Sequence, residues 1–343
     1  MEQEQILLNL LNIVEDLQKK VLRLEQENAA MVRAQGQLLE YVQMNQSDAE
    51  HFRDNVIFEL ADNSGLEQTY FFPKIASAQE AVDRIVQDGC SMARFGDGEF
   101  SAIAGRIRHR FQTMEDENLS RRLREVLNAD DDRLLIGLAN NYGNLDKYTE
   151  QAKREIRCYM RPEIRREHML LLNTDKQYYD AYVTRPYVMY ADNMTDAPAK
   201  RFAQLRRIWD KRKCVFVEGC CTGLGVGNDL FDNASEIRRI LGPAQDAFMA
   251  YDKLLERCME QDKDSLFLLA LGPAATVLAY DLCMAGYQAV DVGHVDLEYE
   301  WFLGGEGKRT EIDGKYNNEL PEAKEPVPLD SPEYKAQIIA DFS

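Results

Sequence analysis

Five short apolar runs punctuate the middle of the chain, and each runs out into glycine or polar residues. Residues 91–95 lead into Gly96-Asp97-Gly98-Glu99, 134–138 into Asn140-Asn141, and 214–217 into Glu218-Gly219. Residues 266–271 lead into Gly272-Pro273, and 289–292 into Gly293-His294. Stretches with helical spacing lie around them, at 78–88, 199–211, 229–241 and 274–285. Runs this uniformly apolar cannot face water on either side, so they read as strands of a parallel sheet covered by helices on both faces. The pattern predicts an α/β fold built on a wound sheet. In such sheets ligands bind beyond the carboxyl ends of the strands, which is where glycines and polar side chains gather here. A single crevice assembled from several loops is expected.

The two ends follow other rules. Leu7, Val14, Val21, Asn28, Gln35 and Val42 recur at heptad spacing, with Leu10, Leu17, Leu24, Met31 and Leu38 three positions later. Val at position a with Leu at d favours a parallel two-stranded coiled coil, and a lone Asn28 at a fixes its register. Residues 1–46 are therefore expected to make a homodimer; the alternative is an amphipathic helix lying on the chain's own globular part. Residues 47–76 read as a polar linker, and 321–343 as an acidic tail with Pro321, Pro326, Pro328 and Pro332, extended along the surface.

Charge narrows the function classes. The chain has 59 Asp and Glu against 41 Lys and Arg, a net charge of −18 over 343 residues. That excludes a surface built for nucleic acid or anionic lipid, both of which need clustered cations. It leaves room for one small anion held locally. No apolar run reaches the roughly 18–20 residues of a transmembrane segment. Met1–Gln5 lacks a basic signal-peptide start. Seven cysteines include no C-x-x-C pair and four histidines give no zinc-finger spacing, so a reducing, cytoplasmic setting is expected.

Three loops carry candidate chemistry. The first runs Val217-Glu218-Gly219-Cys220-Cys221-Thr222-Gly223-Leu224-Gly225-Val226-Gly227-Asn228-Asp229. A strand entering a glycine loop that opens a helix can cradle phosphate on backbone N–H groups and the helix N-terminus. The spacing matches neither the Walker loop nor the dinucleotide fingerprint, which disfavours a nicotinamide enzyme. The other reading is tight strand–helix packing with Asn228 or Asp229 as the cap. In the second loop, Asp97 and Glu99 at i, i+2 on an extended segment would point the same way between glycines. Such a pair can hold a hard divalent cation, with Gly96 permitting close approach and Arg94 reaching the same phosphates; an ordinary acidic turn is the plain alternative. In the third, His294, Asp296 and Glu298 could complete a metal shell or serve as a general base, or could simply be a solvated helix start. Arg185, in Thr184-Arg185-Pro186-Tyr187, is a further candidate phosphate contact.

These stretches resemble the GT-D type bacterial glycosyltransferase family. The resemblance rests on Ala93-Arg94-Phe95-Gly96-Asp97-Gly98-Glu99-Phe100, on Thr184-Arg185-Pro186-Tyr187, and on Val217-Glu218-Gly219 with Leu224-Gly225-Val226-Gly227-Asn228-Asp229-Leu230-Phe231. Leu271-Gly272-Pro273-Ala274-Ala275-Thr276 and Gly293-His294-Val295-Asp296-Leu297-Glu298-Tyr299-Glu300-Trp301 complete it, and 77–320 is the domain it covers. It implies a Rossmann-like domain that uses a nucleotide-activated sugar, a UDP-sugar above all, with Mn²⁺ or Mg²⁺. The family's D-x-E metal motif falls on Asp97 and Glu99. Its glycine loop falls on Gly225, Gly227, Asn228 and Asp229, beside Glu218 and Gly272 as further substrate-binding positions.

Two positions depart from the family pattern. Gly223 stands where relatives carry Arg before the glycine run, and Ala274 where they carry Thr. Arg94 or Arg185 would then supply the missing cation. The expected activity is metal-dependent transfer of a sugar to a hydroxyl of a glycan or glycoprotein acceptor. The alternative is a coiled-coil scaffold whose globular domain binds the nucleotide sugar without turnover.

Overall fold

A computed structural model describes residues 2–63, 72–106, 112–113, 116–312, 314–317 and 331–343. The chain divides into two compact units, Met1–Phe58 and Glu59–Ser343. Helix α1 spans Glu2–Asn63. Along it, the heptad side chains Val14, Leu17, Val21, Leu24, Met31, Leu38 and Val42 are between 49% and 63% exposed. The helix outruns the expected coil boundary at 46, because residues 47–63 are polar but contain neither Gly nor Pro to stop it. Of the expected linker, residues 64–71 lie outside the described residues, and Lys74–Ala76 is a strand.

The second unit opens with that strand, β1, and with α2 (Ala78–Gln87). Ser77 and Glu80 form a reciprocal capping box that fixes where α2 starts. Then come β2 (Ser91–Phe95), α3 (Asp97–Ile103), α4 (Glu117–Asn128) and β3 (Leu134–Leu138). Helices α5 (Glu150–Tyr159) and α6 (Pro162–Leu171) lead to β4 (Gln177–Asp180). Helix α7 (Ala197–Arg206) precedes β5 (Lys213–Gly219) and β6 (Glu236–Gly242). The order closes with α8 (Tyr251–Met259), β7 (Leu266–Ala270), α9 (Pro273–Met284), β8 (Gln288–Asp291), α10 (Val295–Gly304), α11 (Pro332–Gln337) and β9 (Ile338–Asp341).

The nine strands form one sheet in the order β1-β4-β3-β2-β8-β7-β5-β6-β9, and every pairing is parallel. Successive residues of one strand enter opposite cores. Ala93 and Phe95, Val215 and Val217, and Phe267 and Leu269 pack with α4, α8 and α9 residues such as Leu123, Leu254 and Leu278. Met92, Phe216 and Leu268 pack on the other face with Ile85 of α2, Phe202 of α7 and Trp301 of α10. Both faces are covered, as the apolar runs require. The chain leaves β2 toward β3 and β4, while β8, arriving from β7, docks on the other side of β2. A crevice is expected above such a reversal.

Two expectations need correction. Residues 229–241 are not a helix: 229–235 is a run of turns, and β6 follows. Its charged Arg238 and Arg239 imitate a helix surface, but Arg239 is 3% exposed and points inward to an ion pair with Glu218. Nor is 331–343 a surface tail. Tyr334 of α11 is buried, and β9 pairs with β6 as an edge strand of the sheet; residues 321–330 lie outside the described residues.

Candidate active site

A cavity of about 380 Å³ opens above the carboxyl ends of six strands. It is lined by Arg94, Gly96, Asp97 and Glu99 after β2, Ala139 after β3, Tyr182 and Arg185 after β4, and Thr222 after β5. Gly272 after β7 and Asp291, Gly293, His294 and Asp296 around the end of β8 complete that wall. The expected crevice is therefore present, and three separate motif segments meet in it.

The acidic tetrapeptide does not stay extended. Gly96 is the N-cap of α3, so Asp97 and Glu99 occupy the first and third helical positions. At about 100° per residue, i and i+2 no longer share a face. Both still reach the cavity because the first turn of α3 points into it. Glu99 turns back to accept a hydrogen bond from the Gly96 N–H at 2.7 Å, and burial pushes its carboxyl above the usual carboxylate range. Asp97 is exposed on the cavity side.

Arg94 forks inward. Its Nε donates to the Asp291 carbonyl at 2.8 Å and its Nη2 to Asp291 Oδ1 at 2.7 Å. Gly293 makes this possible: it has φ +46°, and a Cβ there would lie 1.9 Å from Arg94 Nη2. Burial raises the Asp291 carboxyl, with Arg94 opposing the shift. Asp291 is a site residue the motif reading passed over. Its one sequence signal was a lone carboxylate ending an otherwise apolar strand.

The glycine loop opens no helix, and its Leu224, Gly225 and Asn228 donors are taken by the chain's own carboxylates. Leu224 N–H donates to Glu218 Oε2 at 2.7 Å, and Gly225 N–H to Asp296 Oδ1 at 3.0 Å. Asn228 Nδ2 bridges Asp296 Oδ1 at 2.8 Å and Glu300 Oε1 at 2.7 Å, while its Oδ1 accepts from Leu230 N–H at 3.1 Å. Asp229 accepts from the Tyr299 hydroxyl at 2.7 Å and from Arg206 at 3.3 Å. The anion seated in this cradle is Asp296. Of the loop, Thr222 lines the cavity; Gly225, Asn228 and Asp229 hold α10 instead, and Gly227, expected to bind substrate, lies outside the lining. Gly225 has φ +74°, and a Cβ on it would come within 2.5 Å of the Phe231 ring.

The remaining candidates divide clearly. Asp296 Oδ2 receives the Lys315 ammonium at 2.6 Å, and Lys315 also bonds Glu300 at 2.8 Å. Lys315 is buried and belongs to no motif, so nothing in the sequence marked it. Burial raises the Asp296 carboxyl while Lys315 opposes it. Glu298, expected as a candidate base, is 0% exposed and accepts from the backbone N–H groups of Tyr187 and Val188, both at 3.0 Å. It fixes the 184–188 segment from below and lies outside the cavity lining. Glu218 is likewise fully buried, paired with Arg239 at 2.5 Å. Arg185 and His294 do line the cavity together, with Arg185 Nη2 2.9 Å from His294 Nδ1. On the far side, Glu155 and Tyr159 of α5 face Arg309 and Tyr316, and Arg309 Nη1 lies 3.1 Å from both Glu155 oxygens.

Among the described residues no group of three or more His, Cys, Asp or Glu forms a ready-made metal cage, and no helix is long and apolar enough to cross a membrane.

Known proteins share this architecture. The chain is 33% identical over 270 residues to the "Probable glycosyl transferase Gly" of Streptococcus gordonii and over 288 residues to "Glycosyltransferase GlyD" of Streptococcus pneumoniae. The matches cover 78% and 82% of this chain but 39% and 34% of those proteins, so the chain spans little more than a third of their length. A solved structure described as a new glycosyltransferase from Streptococcus sanguinis superposes with a TM-score of 0.73 at 32% identity, covering 79% of this chain and all of that one. A second, described as a domain of unknown function with a distinct glycosyltransferase fold, gives 0.72 at 32% identity over 79% of this chain and 96% of its own. Residues 92–320 match the glycosyltransferase GT-D fold family, which takes in every cavity-lining strand end from β2 to β8, and the chain belongs to that family.

Proposed function

We propose that this chain transfers a glycosyl group from a nucleotide diphosphate donor, a UDP-sugar, to a hydroxyl of a glycan or glycoprotein acceptor, with Mn²⁺ or Mg²⁺ bound at Asp97 and Glu99. The observation that carries the reading is the convergence of Asp97, Glu99, Arg185 and His294 on one cavity above a parallel sheet. In the transfer the acceptor oxygen bonds the anomeric carbon as the bond to the diphosphate oxygen breaks.

The residues suit the metal. Asp97 and Glu99 offer hard oxygen donors, and two protein carboxylates leave coordination positions for phosphate oxygens and water, the pattern Mg²⁺ and Mn²⁺ adopt on nucleotides. Bound there, the cation would neutralise charge developing on the leaving diphosphate. The chain's own part is orientation. Gly96 N–H holds the Glu99 carboxylate in place, Arg94 and Asp291 brace the floor, and Arg185 with His294 supplies N–H donors to an anion. Asp296, with both oxygens engaged by Gly225, Asn228 and Lys315, ties the glycine loop to α10.

The test is transfer or hydrolysis from a panel of nucleotide sugars with Mn²⁺. The wild type should turn over, and the Asp97→Ala/Glu99→Ala variant should lose at least about 10²-fold in kcat/KM; equal turnover by the two refutes the metal role. A binding-only reading is favoured by Gly223, which stands at φ +59° where the family resemblance implies an Arg. Donor binding by calorimetry with no turnover on any acceptor would select it.

A further inference from the structure

The contact between Arg185 and His294 fixes more than position. A guanidinium has five N–H donors and no acceptor, so at 2.9 Å from Arg185 Nη2 the His294 Nδ1 must be the accepting, unprotonated nitrogen. The one ring proton of the neutral imidazole then sits on Nε2. A second proton on Nδ1 would leave two donors facing each other. The cationic ring would also stand at the N-cap of α10, the positive end of that helix.

We infer that His294 is held as the neutral Nε2–H tautomer by Arg185 and acts as a hydrogen-bond donor to the anionic oxygens of the nucleotide diphosphate, not as the base for the acceptor hydroxyl. This deepens the proposed function and rests on it for the identity of the ligand. The tautomer itself rests on the Arg185 contact alone. Neutral imidazole is the appropriate donor where oxyanion charge grows, since it stabilises the charge without surrendering a proton. Arg185 is then a positioning residue toward His294 as well as a cation lining the same wall.

Neighbouring geometry supports the assignment. The other two candidate bases are already engaged: Asp296 by donors on both oxygens, Glu298 by two backbone N–H groups beneath the 184–188 segment. Glu298 thereby anchors the backbone that carries Arg185, so the 294–298 segment is organised to present donors to the cavity. Arg185 and His294 lie together in the cavity lining, where Arg94 is already turned to Asp291.

The test begins without activity. The chain has four histidines, and long-range ¹H–¹⁵N NMR of the histidine-labelled full chain reads each ring's tautomer, with His294→Gln identifying its signals. The expected result is an unprotonated Nδ1 and a protonated Nε2, kept in Arg185→Lys and lost or averaged in Arg185→Met. Addition of UDP with Mg²⁺ should shift the Nε2 signal. A protonated Nδ1 in the wild type, or ring signals indifferent to Arg185→Met, overturns the inference.

Turnover supplies the second arm. His294→Gln keeps an amide N–H donor but cannot take a proton, so it should stay within about tenfold of wild type while His294→Ala falls about 10²-fold. Equal loss in both variants marks a base and overturns the donor role. If no nucleotide sugar is turned over at all, the proposed function fails while the tautomer measurement still decides this point.

Discussion

Protonating His168 should loosen the support beneath the acidic start of α3. The imidazole stacks on Phe100 of α3 with centroids 3.8 Å apart and planes at 26°. Its nitrogens meet the Tyr142 hydroxyl at 2.7 Å and the cavity-lining Tyr159 hydroxyl at 3.3 Å. Burial pushes this imidazole down from 6.5 to about 4, with Glu167 pulling the other way. The unfolded chain takes up the proton as pH falls through about 6.5, whereas the folded chain resists until about 4. The stability of the neutral, buried ring is therefore complete above 6.5 and drains away between 6.5 and 4. Worked through the linkage relation, the loss is ~2 kcal/mol at about pH 5 and close to nothing at about pH 7.5.

Urea unfolding at those two pH values, on wild type and His168→Gln, measures it. Buried carboxylates such as Glu99 and Asp291 titrate in both proteins, and their raised values act in the opposite sense, gaining stability on acidification. The difference between the two proteins isolates the imidazole. The stability advantage of wild type should shrink by ~2 kcal/mol on going to about pH 5. Parallel pH dependence in the two proteins refutes the reasoning, and with it the claim that a neutral His168 supports α3.

Three further outcomes follow from the packing. Gly225→Ala pushes a methyl group into the Phe231 ring at a positive φ and should cost about 2–4 kcal/mol by urea titration, with a smaller loss if Phe231→Leu relieves the clash. Glu218→Ala strands Arg239 at 3% exposure and should cost about 3–5 kcal/mol, more than the Glu218→Ala/Arg239→Met pair measured the same way. Light scattering should report a dimer for the full chain and a monomer after deletion of residues 1–46; an unchanged mass after deletion refutes the coiled-coil assignment.

How much of this was written in the sequence depends on which force placed each residue. The central strands β2, β3, β5, β7 and β8 were legible because burial on both faces makes most of their residues apolar. β1, β4 and β9 were not, since edge and near-edge strands carry polar residues such as Lys74, Gln177 and Asp341. β6 was misread because Arg239 owes its burial to a partner 21 residues earlier, which no local pattern records. The same distinction runs through the site. Asp97, Glu99, Arg185 and His294 lie in segments named by their motifs and do line the cavity. The glycine loop has the composition of a phosphate cradle, yet its anion is Asp296, 71 residues from Gly225 in the chain. Lys315 and Asp291 became visible only through their partners.

β9 has a consequence for how the protein is made. A parallel strand cannot pair until the whole crossover before it exists, and β6 waits for a partner that begins at Ile338. During synthesis the β6 edge and the Glu218–Arg239 pair stay open to water, where that pair costs little. Docking of 331–343 then brings Tyr334 within 3.3 Å of Glu218 and Gln337 within 2.7 Å of Arg239. Only then is the ion pair sealed, with Arg239 gripping the Leu224 carbonyl at 2.9 Å. The shape of the glycine loop, and through Asp296 the seating of α10, thus matures only after residues 331–343 have been made. A ribosome stalled before residue 338 would release a sheet with an unpaired inner edge, a natural substrate for chaperones and for self-association.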